Sequence, residues 1–395
     1  MVPLAATMSA QVVASMMFMT VAVLAPAIAP SVGTSADTLA GTFSALIFGS
    51  AMFSALFSGR LIRRFGALRT TQAGLVNGVI ALAVTTLLAW PLVLLGAVVL
   101  GIGYGPNTPS SSHLLARATP PHRRGLVFSI KQSGMPLGGV LAGLILPPAA
   151  FALGWQGALL LSAAIGLATA FALQPVRAGL DDDRDPRAAL WRTNRPRALG
   201  RPELLRASPA LARLTVSAFA LAMLQAVMVA FFVTFIVRET GLGLVKAGVA
   251  FSILQVSGAI ARVLFGWIAD ALIAPRFLLA VIALIGLVAS GALFAAQPGW
   301  PFWLISLVSV VVGISATGWN GVFLAAVANV VPEDQVGGAT GASSFFIFSG
   351  FVVAPLLFAV AATVTGHEGA GFLAAGILAA IAGAALVAVP QVRGR

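Results

Sequence analysis

The sequence predicts an all-α protein that crosses a membrane twelve times, in two related six-helix halves. Three observations carry this. Hydrophobic residue types make up 59% of the 395 residues and charged types only 9%, whereas a soluble domain carries about 25% charge. So little charge cannot cover a globule with a solvated surface, which excludes a water-soluble enzyme. Charge-free stretches long enough for one or two spanning helices, each needing about 20 apolar residues, recur along the chain. Polar landmarks of the first half return at a near-constant offset in the second.

The elements follow from the charge gaps. Residues 1–59 hold one charge, Asp37; 70–116 hold none; 125–176 hold only Lys131. Stretches 214–237, 277–332, 335–367 and 369–392 hold none. Spans are therefore expected near 8–30, 37–58, 68–89, 92–115, 125–147 and 154–175. The second set lies near 209–236, 246–269, 277–296, 302–327, 338–363 and 371–390. Turns between them are marked by Pro30 to Ser35, Trp90-Pro91, Pro147-Pro148, Gln297 to Pro301 and Gly366 to Gly369. Period-2 alternation is absent, which excludes a membrane β-barrel. Inside lipid each span must be helical, because its backbone has no water to bond. Gly134/Gly138, Gly139/Gly143 and Gly337/Gly341 have the spacing of close helix contacts.

Basic residues set the orientation. Arg60, Arg63, Arg64 and Arg69, then Arg117, Arg123 and Arg124, nine Arg between 177 and 213, Arg276, Arg393 and Arg395 fall on one side, 19 in all. The other side carries only Arg238 and Lys246. We expect both termini in the cytoplasm, no cleaved signal peptide, and residence in a bacterial inner membrane. Residues 177–208, rich in Arg, Asp and Pro, read as a cytoplasmic linker whose charges are solvated or touch the membrane surface. It separates a bundle over 1–176 from a bundle over 209–395.

The halves repeat. Gly105-Pro106-Asn107 on the fourth span matches Gly318-Trp319-Asn320 on the tenth, and Gln11 matches Gln225, at offsets of 213 and 214. Such agreement predicts a parallel duplication around a central cavity.

Residues Gly59, Arg64, Gly66 and Arg69 after the second span resemble the loop signature of the major facilitator superfamily. Arg63 stands where that family has Asp; Gly266 and Asp270 close the eighth span at the corresponding place. The resemblance covers essentially the whole chain. It implies a secondary transporter working by alternating access about a midplane site, with the Gly59–Arg69 loop, Gly266 and Asp270 as gating elements. A narrower likeness, carried by Arg123-Arg124-Gly125-Leu126, Gly134 to Gly139 and Arg262, is to monocarboxylate and oxalate–formate carriers. There an Arg at this place binds the substrate carboxylate; an Asp used by some of them is Gly258 here. The Gly134–Gly139 stretch is also similar to drug/proton antiporters.

Candidate site residues are the polar ones inside spans. Lys131 is either a cavity cation that attracts an anion or a snorkelling surface lysine. Arg262 is either a carboxylate fork or a gate residue pairing with Asp270 or the Glu333-Asp334 loop. Asn107, Asn320, Gln11, Gln225 and Gln132 either contact substrate or bond between helices. His113 and Tyr104 read as structural. Three functions compete: a small organic anion carrier, a proton-coupled exporter of drugs or hydrophobic compounds, and a membrane enzyme or receptor. The last is weakest, since the chain has no Cys, three His and no paired carboxylates. For the same reason no cofactor or metal is expected. The expected partners are an anionic small molecule, protons or a counter-anion, and the bilayer, with no nucleic acid and a monomeric state.

Overall fold

The computed structural model describes residues 2–87, 89–120, 124–188, 190, 205–206, 208–331 and 336–387, without side-chain detail at 124–126, 129, 270, 328, 336–338 and 341. Every regular element among them is helical. In order these are α1 (Val2–Ile28), a 3₁₀ turn (Ala29–Val32), α2 (Ala36–Ala55), α3 (Ser58–Phe65), α4 (Ala67–Thr85), α5 (Trp90–Tyr104), α6 (Asn107–Ala118), α7 (Arg124–Gln132), α8 (Gly134–Ala172) and α9 (Gln174–Leu180). The second series is α10 (Pro209–Thr240), α11 (Leu244–Ala271), α12 (Pro275–Phe294), α13 (Phe302–Thr317), α14 (Trp319–Ala328), α15 (Val336–Thr365) and α16 (Gly369–Val387).

Eleven helical stretches are long and apolar enough to cross a membrane. One of them, Ile130–Ala172, reverses inside α8 at Gly154, where φ is 73°. The described chain therefore makes twelve crossings, as the charge gaps predict. The turns at Gly33, Gly299 and Gly366 use positive φ, which glycine adopts at little cost. Ser35 and Ser208 start α2 and α10 by accepting from Thr38 and Leu211 backbone N–H groups.

One predicted turn is misplaced. The helix runs through Pro147-Pro148 and reverses at Gly154 instead. Proline removes a backbone donor but its φ is helical; only the glycine offers the left-handed conformation that the reversal uses. Four spans are also less continuous than the charge gaps imply, with breaks between α2 and α3, α5 and α6, α7 and α8, and α13 and α14.

Two compact units emerge: Met1–Pro196 with Ile236–Arg238 and Leu242–Ser252, and Arg197–Phe235 with Glu239–Gly241 and Ile253–Arg395. Small residues let helices meet within each. In the first, a side chain at Gly101 or Gly105 would overlap the Ile47 or Ala51 carbonyl of α2, and one at Gly138 the Val12 carbonyl of α1. Thr20 and Ser162 hydroxyls bond at 3.0 Å between α1 and α8. In the second, Gly313 lies against the Leu254 carbonyl and Gly258 against Thr317, and Thr215 meets Ser343 at 2.8 Å. The exposed residues of α11 include Ile260, Val263, Leu264 and Trp267, an apolar stripe suited to lipid. Arg123, Glu333 and Asp334, the side chain of Asp270, and those around Gly337 and Gly341 lie outside the described residues.

Candidate functional site

In the first unit the fourth crossing breaks at Gly105-Pro106, and Asn107 opens α6. Its Nδ2 donates to Gln11 Oε1 on α1 at 3.1 Å. Gln11 Nε2 in turn donates to Ser15 Oγ at 2.9 Å and Tyr104 OH at 3.4 Å. Tyr104 stacks on Phe18, centroids 5.0 Å apart. Gln11 and Asn107 are buried, yet Asn107 Oδ1 and Ser110 Oγ, three residues further along α6, have no partner among the described residues. Buried polar groups are almost always satisfied, so two open ones about one turn apart on one helix mark spare hydrogen-bonding capacity. A cavity with room for about one water is lined by Thr71, Gly74, Tyr104 and Asn107 among others.

The second unit repeats the pairing. Its tenth crossing breaks after Thr317, and Gln225 Oε1 on α10 accepts from Trp319 Nε1 at 3.1 Å and Asn320 Nδ2 at 3.5 Å. The glutamine and asparagine of each half, matched by offset in the sequence, are thus joined to each other within each unit. Arg262 on α11 comes to the same break, where its Nε donates to the Thr317 carbonyl at 2.7 Å. That carbonyl closes α13 and lacks a continuing helical partner.

Lys131 lies one residue before the end of α7, only 1% exposed. Its Nζ donates to Gln132 Oε1 at 3.2 Å, and it joins no ion pair among the described residues. Two residues beyond Gln132, Gly134 packs on the Gln11 turn of α1, where an added Cβ would stand 3.0 Å from Gln11 Cγ. Lys131 and the Gln11–Asn107 pair therefore belong to one neighbourhood of the first unit.

The sequence-predicted gating residues divide. Among the described residues, and beyond the backbone of its own helix, nothing lies within 4 Å of where a side chain would start at Gly59 or Gly266. Gly66 has φ 97° and faces Asp181. Asp181 is buried, and its carboxylate accepts from Leu68 N at 2.7 Å and Arg69 N at 2.9 Å. Arg64 donates to the Ala188 carbonyl at 3.4 Å. The start of the linker is thus docked through one buried acid, while residues 182–187 stay exposed to solvent: Asp183 meets His113 at 2.6 Å and Arg117 at 2.7 Å, and Asp182 meets Arg117 at 2.7 Å. The Arg117 hydrogen bond holds the Asp182 carboxyl below its usual range. At the far end of the span from α4, Arg238 pairs with Asp37.

Ser15, Ser110 and Asp181 escape the sequence reading, and Trp319 enters it only as part of the repeat. Ser15 stands four residues from Gln11, the spacing of helix neighbours, and that signal was available. Asp181 belongs to an acidic run, and its own partners Leu68 and Arg69 lie more than a hundred residues away in sequence.

Comparison with known proteins completes the picture. The Major Facilitator Superfamily model matches residues 7–355. A bacterial homologue of the human lysosomal transporter Spinster, inward-facing and occupied, superposes with TM-score 0.69 over 96% of this chain and 95% of its own, at 15% identity. A peptide transporter POT in complex with sulfate gives 0.75 over 98% and 94%, at 18% identity. A POT family transporter in complex with 5-aminolevulinic acid gives 0.77 over 97% and 95%, at 12% identity. At such identities the likeness is one of fold. No curated protein matches the chain. With a family model spanning most of twelve apolar crossings and a polar pair repeated in both halves, the chain belongs to the major facilitator superfamily and is a multi-pass secondary transporter.

Proposed function

We propose that the protein carries a small organic anion, most simply a carboxylate, across the bacterial cytoplasmic membrane by alternating access, with both termini and the Arg-rich loops in the cytoplasm. One observation carries this reading: Lys131 is enclosed in a spanning segment, with a neutral amide as its partner and no described ion pair. A cation buried without a countercharge costs several kcal/mol in a medium of low dielectric. A substrate that brings a negative charge offsets that cost. Gln132, Gln11, Asn107 and Ser110 then supply neutral hydrogen bonds that choose among anions. In the second unit Arg262, Gln225 and Asn320 offer the matching chemistry, with the Arg262 fork partly committed to Thr317. Among the described residues no carboxylate pairs with Lys131, so either anion exchange or symport with the proton on the substrate fits the site.

The test is thermal unfolding of the purified protein with lactate, oxalate and benzoate, and separately with cationic dyes and neutral sugars. A ligand at about 100 times its dissociation constant adds about 2.7 kcal/mol, a shift of several degrees. Lys131→Gln is expected to abolish the shift while leaving the unliganded midpoint equal or higher, since an uncompensated buried charge is gone. Stabilisation of the parent by cationic dyes alone would instead favour a proton-coupled drug exporter.

A further inference from the structure

We infer that residues 181–185 form a strap that fixes the α3–α4 hairpin to α6 and thereby sets where α6 presents Asn107. The acids of the strap address different elements. Asp181, buried, closes the start of α4 through Leu68 and Arg69 N–H groups, which have no intrahelical partner and sit at the positive end of the helix dipole. The fit is tight: Gly66 takes φ 97°, and a Cβ there would overlap Asp181. Asp182 and Asp183 hold Arg117 and His113, one turn apart on α6. The backbone joins in, since Asp185 N donates to the Arg63 carbonyl at 2.7 Å at the end of α3. Arg64 and Arg60 return bonds to the carbonyls of Ala188 and Leu190.

These contacts differ in kind. The Asp181 bonds are charge-assisted and enclosed, so salt has little access to them. In the Arg117 and His113 pairs the side chains are between 30% and 62% exposed, and the pairs are screened. The strap is therefore a fixed anchor on α4 plus a releasable clasp on α6. α6 has twelve residues, about 18 Å at 1.5 Å per residue, with the clasp near one end and Asn107 at the other. The Gly105-Pro106 break before it leaves α6 without a continuous helical hold on α5. Release of the clasp frees α6 to move as a rod, which changes the Asn107–Gln11 bond at its far end.

The experiment is hydrogen–deuterium exchange on the full-length purified protein, parent against Asp182→Asn/Asp183→Asn and against Asp181→Asn. It uses no ligand, so it stands apart from the anion reading. Exposed pairs contribute about 0.2–1 kcal/mol each. The double variant, which loses three such contacts, should therefore exchange at least about threefold faster in α6, in the last turn and also at Ser110 and Ser111. The parent should reach the same rate in about 1 M salt, where the Debye length is about 3 Å, and the double variant should not respond. Asp181→Asn should speed the Leu68 or Arg69 amide by about tenfold, as loss of a helix cap does, in either salt. Unchanged exchange in α6, or a change confined to its last turn, overturns the positioning role. If Asp181→Asn does not fold, the double variant alone decides.

Discussion

Asn107 and Asn320 look alike in the sequence, yet they are expected to respond differently to truncation. Asn107 supplies the donor bonded to Gln11 Oε1, so Asn107→Ala leaves a buried acceptor open, at about 1–3 kcal/mol. Gln225 Oε1 keeps Trp319 when Asn320 is cut back, and the Asn320 bond is already long at 3.5 Å. Asn320→Ala should cost well under 1 kcal/mol. Unfolding midpoints of the two variants check this, and equal losses would contradict it. Polar identity was legible at this scale, because a polar side chain in an apolar span is costly toward lipid. Partnership was not. Lys131 in the sequence reads either as a cavity cation or as a snorkeller, and its 1% exposure is not legible there. Arg262 was weighed against Asp270 and Glu333-Asp334, whose side chains lie outside the described residues, while its bond to the Thr317 carbonyl is one that no side-chain pattern announces.

The glycines divide the elements into tight and open places, and substitutions should follow. Gly266 lies inside α11 with open space around it, so Gly266→Ala is expected to stabilise by up to about 1 kcal/mol through helix propensity. Gly66→Ala combines positive φ with a clash against Asp181 and should destabilise by more than 1 kcal/mol. Gly101→Ala meets Ser50 and the Ile47 carbonyl and should lower the yield of folded protein. If Gly266→Ala slows transport while raising the midpoint, its role is in gating rather than packing. Helix number was legible because charge gaps measure apolar length. Breaks within crossings were not, because a gap count is blind to a lost backbone bond. The Pro147-Pro148 turn fails for the same reason that α1 carries Pro26 and α15 carries Pro355 internally: proline weakens a helix without reversing it.

At the scale of the whole molecule the internal duplication was the strongest signal, since equal offsets recur only if the halves share a fold. The repeated glutamine–asparagine pair gives it physical content: each unit ties its first crossing to the break in its fourth. Sidedness rests on the Arg and Lys bias. The chain has no cysteine, so single cysteines placed at Asp185 and at Thr34 can be labelled from one side of intact cells. Asp185→Cys is expected to react only from the cytoplasm and Thr34→Cys only from outside; the reverse would invert the orientation.

The central claim is that Lys131 binds the transported anion. Counterflow of radiolabelled carboxylates into liposomes holding the purified protein tests it most directly, with parent, Lys131→Gln and Lys131→Arg compared under imposed proton gradients. The expected result is uptake by the parent, retention of part of it by Lys131→Arg, and loss of at least tenfold in Lys131→Gln, about 1.4 kcal/mol or more of anion binding. Carboxylate uptake by Lys131→Gln at the rate of the parent would contradict it.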